Sequence, residues 1–298
     1  MSIPFIHQFD FAYGRADRLS ALVTRVICNN PGPFTFTGSG TYLIGIEILA
    51  IIDPGPDNEG HLSALIEAID ARPVSHILIT HTHLDHCGGA RALAAKTGAA
   101  IYGFGMHPTS SIETIPALDE GGDFDFKPDA TLQHGSSING PDWTLTALHT
   151  PGHIGNHICF SLAQDQALFT GDHVMGWATT VVTPPDGSLT DYLVSLTGLL
   201  DRADIIYYPT HGAPILEPKK LVQAILDHRH TRDQQILREL KRGSRNIMEI
   251  VAVIYADVDK ALHLAAGLNV HAHLEAHLKT GLVAFTGDKL FTAIWSLK

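Results

Sequence analysis

Three imidazoles and a carboxylate fall within six residues, at His81, His83, Asp85 and His86 of this 298-residue chain. Nitrogen and oxygen donors of this kind form a borderline ligand set that suits Zn, Fe or Mn. The i, i+2 spacing of His81 and His83 lets two rings converge from an irregular loop, while Asp85 and His86 can point another way and serve a second ion. One tetrahedral site cannot easily take all four donors from so short a segment, so the spacing predicts two neighbouring metals. The alternative is a His-rich surface loop in a chain with 19 histidines. The apolar run Ile77-Leu78-Ile79 before the cluster and Gly88-Gly89 after it argue against that alternative.

Further donors follow stretches that read as strands. His153 closes His149-Thr150-Pro151-Gly152-His153 after 143–148, Asp172 and His173 follow 167–170, and His211 follows 205–208. Loops at strand ends are where a rigid scaffold presents ligands. Counted together, His81, His83 and His153 serve one metal, Asp85, His86 and His211 the other, and Asp172 lies between. Each ion then keeps an open position, the mark of a catalytic rather than a structural site.

The elements that must position these loops read as follows. Strands are predicted at 21–28, 41–46, 47–52, 76–80 and 99–102, with helices at 61–71 and 90–97, the latter stopped by Gly98. Residues 103–130 are irregular and predict a loop insert near the site mouth. Strands resume at 143–149, 157–162, 167–170 and 205–208, with a helix at 189–201. Strands followed by a helix, twice over, predict an αββα sandwich with helices outside. A composition shift after residues 214–218 introduces one long helix at 219–242, ended by Gly243. Three short helices, 247–255, 259–266 and 270–280, precede a hairpin of 282–285 and 290–294 around Thr286-Gly287-Asp288-Lys289. That order predicts a winged-helix-like unit, and hence two domains, 1–215 and 216–298.

Composition bounds the function. The 45% hydrophobic and 17% charged fractions are those of a globular chain, and no run of eighteen apolar residues predicts a membrane span. The N-terminus lacks a basic region, an apolar core and a cleavage site, and Cys28, Cys87 and Cys159 form no paired set. Both point to a reducing cytoplasm. A net charge of -11 argues against a general nucleic-acid binder. Eight of the 20 basic residues nevertheless gather between Lys219 and Arg245, where a solvated helix face is the simpler expectation. The helical spacing of His271, His273 and His277 predicts decoration of one helix rather than a third metal site.

The constellation resembles the metallo-β-lactamase superfamily, whose H-x-H-x-D-H, downstream His, bridging Asp and final His match His81–His86, His153, Asp172 and His211 over roughly residues 20–215. Asp53 matches that family's early Asp, a supporting residue rather than a ligand. Asn30-Pro31-Gly32-Pro33, Gly38 to Leu43, His149 to His157 and Asp227-His228-Arg229 with 232–237 are similar to its lactamase-β-2-like branch. Members of that branch include single-strand endoribonucleases, and fungal relatives release polyketides as thioesterases. Thr210 departs from the pattern, since relatives generally carry Gly there.

The resemblance implies a dinuclear metal-dependent hydrolase with two divalent ions, Zn first and Fe or Mn next, that attacks through a metal-bound hydroxide. Asp85 would orient that hydroxide and carry its proton to the leaving group. His157 is a candidate proton donor or oxyanion contact, with a packed neighbour of the ligands as the alternative; His173 reads as structural, and Trp177 as pocket lining. A small ester or thioester is the expected substrate, with single-stranded RNA as the alternative. Lactam hydrolysis, a glyoxalase-II-like thioesterase and a non-catalytic DNA-binding regulator rank below both. The resemblance associates an intact bridging Asp172 with hydrolases other than true β-lactamases.

Overall fold

A strand covered on both faces is apolar at successive positions and sends alternate side chains into two different cores. The run Leu49 to Ile52 does this. Ala50 and Ile52 enter the core between two sheets, while Leu49 and Ile51 enter the core beneath the outer helices. The computed structural model describes residues 3–108, 121–287 and 291–298. Its first sheet holds β1 (Ala16–Arg18), β2 (Val23–Ile27), β3 (Gly40–Ile44), β4 (Leu49–Ile52), β5 (Val74–Leu78), β6 (Ala100–Gly103) and β7 (Ala130–Thr131) in sequential order. Pairing is antiparallel from β1 to β4 and parallel from β4 to β7. Helices α1 (Glu59–Ile69), α2 (Leu84–Cys87) and α3 (Ala90–Thr97) lie along this half; Leu65, Ile69, Ala90 and Leu93 cover its outer face.

The second sheet holds β8 (Ser137–Asn139), β9 (Thr144–His149), β10 (Ile158–Leu162), β11 (Ala167–Gly171) and β12 (Ile206–Pro209), in the order β12-β11-β10-β9-β8. The same parity holds here. Phe160 and Phe169 face the inner core with Trp143, Ile44 and Leu78, and Cys159 and Leu168 face outward onto α4 (Leu189–Leu200). The result is the expected αββα sandwich. It adds three short strands, β1, β7 and β8, which are too brief to show a period in the sequence. The insert at 103–130 contributes β7, and its residues 109–120 lie outside the described residues. Cys28, Cys87 and Cys159 are free thiols, all buried. No helix among the described residues is long and apolar enough to cross a membrane.

The C-terminal part holds α5 (Pro218–Lys241), α6 (Ile247–Ile254), a 3-10 turn at Lys260–Leu262, α7 (His263–Lys279), β13 (Val283–Thr286) and β14 (Ile294–Leu297). Two expectations change. The helices predicted at 259–266 and 270–280 are one helix, because Gly267 does not break it. A Cβ there would lie 2.9 Å from the Phe291 ring, so this glycine admits an aromatic neighbour against the helix. The second hairpin strand also lies further on than 290–294, since Trp295, 2% exposed and in one core with Val283 and Ala293, sets the register Val283↔Leu297. Of the predicted turn and strand, residues 288–290 are outside the described residues.

Helix α5 serves two cores. Leu221, Val222 and Ile225 pack with Tyr192, Leu196 and Leu199 of α4, whereas Ile236 and Leu240 pack with Ile247, Ile250 and Leu274. The basic stretch along it is not a uniform solvated face. Arg229 is buried, Arg232 lies 4.2 Å from the Tyr255 ring centroid, and Arg242 and Arg245 both pair with the buried Glu239.

Buried histidine makes this fold sensitive to acid. On α1, His61 Nε2 lies 2.8 Å from Thr41 Oγ1, whose hydroxyl donates to the Asp53 carbonyl at 2.7 Å. The ring therefore donates through Nε2, and its buried Nδ1 meets no partner. Burial lowers this histidine from 6.5 to about 4. Its folded pKa lies below the unfolded value, so its contribution is complete above pH 6.5 and is lost as pH falls from 6.5 through 4. Urea titrations at pH 7 and pH 4.5 should show His61→Gln losing about 2–3 kcal/mol less than the parent chain between these pH values. Equal losses would remove His61 as a cause.

Candidate metal centre

The cluster residues reach one another because the two sheets end side by side. After β5, the chain runs through Thr80 to His83 and straight into α2, whose single turn presents Asp85 and His86. The ends of β9, β11 and β12 supply His153, Asp172 and His211. Gly171 (φ +50°) allows the crossing: a Cβ there would fall 2.6 Å from His157 Nε2 and 2.9 Å from Thr80 Oγ1. All seven residues expected as ligands are buried and lie together.

Their ring nitrogens converge in two groups. His83 Nδ1 lies 3.0 Å from His81 Nε2 and 3.1 Å from His153 Nε2. His211 Nε2 lies 3.0 Å from Asp85 Oδ2, and His86 Nε2 lies 3.5 Å from the same oxygen. Asp172 stands between them, with Oδ1 3.4 Å from both His86 and His211 Nε2 and Oδ2 3.8 Å from His153 Nε2.

Outer partners set the ring orientations. His86 Nδ1 donates to Asp53 Oδ2 at 2.8 Å, His153 Nδ1 to the Val181 carbonyl at 2.6 Å, and His211 Nδ1 to the Gly38 carbonyl at 3.2 Å. Each ring thereby turns its Nε2 toward the cluster, where a bound cation would take the place of the proton. Asp53 also accepts from the Thr80 N–H at 2.8 Å, the Thr80 hydroxyl at 2.7 Å and the Thr210 hydroxyl at 3.0 Å. Thr210, the departure from the expected Gly, thus has a use: it adds a donor to the carboxylate that orients His86.

The donor set fits a pair of cations. His86 Nε2 and Asp172 Oδ1 are buried without a hydrogen-bond partner, which is costly unless an ion satisfies them. Burial opposes charge throughout, yet at His86 the carboxylates of Asp85, Asp172 and Asp53 outweigh it and hold the imidazolium well above its usual range. Burial is likewise overcome at Asp172, where His211 and His86 keep the carboxyl well below its usual range. At His81 burial, reinforced by His86 and His83, holds the ring neutral. One side of the cluster therefore demands positive charge, while the other offers a neutral nitrogen ligand.

His157 sits behind this arrangement rather than in its mouth. It is 0% exposed, with Nδ1 2.9 Å from the Thr150 hydroxyl and Nε2 accepting from the Asp172 N–H at 3.3 Å. Burial holds it well below 6.5. His173 is buried against Tyr192, its pKa lowered to about 3 by burial. His273 and His277 meet Asp233 of α5 at 3.1 and 2.7 Å, a carboxylate partner the helical spacing alone did not show.

The cluster opens into a cavity of about 400 Å³, with His83, Asp85, His153 and Asp172 at its floor. Phe34, Met175, Trp177 and Val182 form one wall and Tyr255, Val258, Leu262 and Leu268 of the C-terminal part the other. Trp177 is stacked on Phe36 at 4.8 Å. Sequence reasoning missed the second wall, because nothing local to residues 255–269 signals that they face a site fixed by residues 81–86.

Residues 36–211 match the family described as the metallo-beta-lactamase superfamily, and residues 247–295 match the beta-lactamase associated winged helix domain. The chain is 32% identical over 276 residues to the beta-lactamase-like protein 2 homolog of Caenorhabditis elegans, covering 90% of this chain and 88% of the relative. It is 33% identical over 255 residues to an atrochrysone carboxyl ACP thioesterase of Passalora fulva, covering 80% and 69%. A metallo-beta-lactamase family protein from Thermus thermophilus shares the fold, with TM-score 0.75 at 20% identity over 94% of this chain and 100% of that one.

Proposed function

The chain belongs to the metallo-beta-lactamase superfamily and is a metal-dependent hydrolase; from that premise we propose that it works with two divalent ions, zinc first, on a small ester or thioester. His81, His83 and His153 would hold one ion, Asp85, His86 and His211 the other, and Asp172 would bridge them. Bound there, the ions would supply Lewis acidity toward the scissile carbonyl and lower the pKa of attacking water.

The observation that carries the substrate class is the cavity wall. Among the described residues, no Lys or Arg lines it, and most of its surface comes from apolar side chains. A strand of nucleic acid needs cations along its phosphates. The basic residues of α5 do not line the cavity: Arg229 is buried, Arg232 lies over the Tyr255 ring, and Lys219, Lys220, Arg238 and Lys241 are exposed outside it. An acyl group needs only an apolar sleeve ending at polar chemistry, and curated relatives named as thioesterases support that reading.

The residues then divide the work. Asp85 lines the cavity, so its carboxylate is placed to take a proton from water and return it to the leaving group. His157 has both ring nitrogens engaged by protein, and we read it as holding the Asp172 main chain rather than donating to substrate.

The test offers metal-loaded protein an acyl-thioester series, single-stranded RNA and a chromogenic lactam. Thioester turnover that falls on the order of 10²–10⁴-fold in Asp85→Ala is the expected result. RNA cleavage lost in Asp85→Ala, without thioester turnover, would replace the reading.

A further inference from the structure

We propose that Arg229 is a positioning residue through which the C-terminal part of the chain holds His153 and Asp172 in ligand geometry. The inference rests on the reading of those two residues as metal ligands.

Arg229 lies within α5, away from the cluster, yet it is 1% exposed. Its guanidinium finds two kinds of partner. Nη2 donates to the Thr180 carbonyl at 2.5 Å, and the group lies 5.5 Å from the Tyr192 ring centroid. Nε is buried without an acceptor, and no carboxylate pairs with Arg229 among the described residues. A buried cation in such surroundings weakens the fold compared with an apolar side chain of equal size. What an apolar side chain cannot do is fix a carbonyl oxygen in place.

The fixed carbonyl belongs to a segment that touches two of the ligand-bearing loops. The Thr180 hydroxyl lies 2.8 Å from the Asp172 carbonyl and 3.1 Å from that of His173, and can donate to either. The next residue, Val181, offers the carbonyl that accepts from His153 Nδ1 at 2.6 Å. Tyr192, beneath the guanidinium, donates its own hydroxyl to the His173 carbonyl at 3.1 Å. Two adjacent residues, Thr180 and Val181, therefore hold a histidine ring on one side of the cluster and the main chain of Asp172, whose carboxylate stands between the two sides. Arg229 is the strut that sets where those two residues sit. Displacing them would also move one wall of the cavity, because Thr179 to Val182 line it.

The test uses the whole chain in five forms: parent, Arg229→Met, Arg229→Lys, Thr180→Val, and the Met and Val changes combined. Zinc affinity is read by competition with a chromophoric chelator, and stability by thermal unfolding of the metal-free proteins. Arg229→Met should unfold at or above the parent temperature while zinc affinity falls roughly 10–100-fold, the range for loss of an outer partner of a ligand. Thr180→Val should show the same kind of loss. The double variant should lose no more than the stronger single, as one strut predicts. Arg229→Lys, which can still donate to the carbonyl, should recover part of the affinity. A folded Arg229→Met with zinc affinity within twofold of the parent would overturn the inference, as would losses that simply add. Should Arg229→Met not fold, unchanged affinity in Arg229→Lys and Thr180→Val together would do the same. A parent protein that binds no divalent ion would instead bring down the reading of the centre itself.

Discussion

Asp172→Ala should lose hydrolysis by on the order of 10³-fold and fall from about two bound ions to about one or fewer. The reason lies in how its two oxygens are shared. Oδ1 faces His86 and His211, and Oδ2 faces His153, so one substitution takes a donor from both groups of ligands. The fold should survive, because the main chain of Asp172 remains held: its carbonyl by the Thr180 hydroxyl, its N–H by His157. Metal analysis beside steady-state kinetics separates the effects. Asp172→Asn, which keeps the shape and removes the charge, should lie between the two. Normal metal content with full activity in Asp172→Ala would sink the bridging role.

Cutting the chain after residue 215, where composition suggests a domain boundary, should leave a fragment without a cooperative unfolding transition. Leu221, Val222 and Ile225 are at most 3% exposed and complete the core outside the second sheet. At about 1.5–3 kcal/mol for each buried side chain, their loss comes to roughly 5–9 kcal/mol, comparable with the whole stability of an ordinary domain at about 5–15 kcal/mol. The cut also removes Tyr255, Val258 and Leu268 from the cavity wall. Calorimetry of the 1–215 fragment decides the matter. A sharp transition together with zinc binding would show that the N-terminal part stands alone. A cut after residue 228 would keep the three apolar residues but not Arg229, so it separates loss of core from loss of the strut.

What the sequence revealed and what it hid divide along a physical line. The grouping of His81 to His86 could be read because donors close in sequence impose their own geometry, and His153, Asp172 and His211 could be added because each lies in a loop that follows a strand. The sandwich was legible for a similar reason, since β4, β10 and β11 are covered on both faces, β4 reading as an unbroken apolar run and β10 and β11 as runs interrupted only by Ser161, Thr170 and Gly171. Contacts made by backbone atoms were not legible. The Val181 and Gly38 carbonyls that orient His153 and His211 leave no trace in residue type. The break expected between 266 and 270 is absent, and Gly267, which lies in it, admits Phe291 against a continuous helix, a use that residue type alone does not reveal. Arg229 misled through its neighbours. Among seven other basic residues it looked like solvated charge, and only its burial separates it from them.

The three free cysteines give the molecule a native set of clocks. A thiol reacts with an alkylating reagent only as the thiolate, and burial raises Cys28 to about 11, Cys159 to about 12 and Cys87 higher still. In the closed protein all three are chemically silent, so the pace of labelling counts how often the surrounding structure opens. Each sits in a different place: Cys28 just past β2, Cys159 inside β10, and Cys87 at the end of α2 beside His86. Mass spectrometry of the labelled peptides therefore yields separate opening rates for the two sheets and for the helix that carries the metal-binding turn, with no probe engineered into the chain.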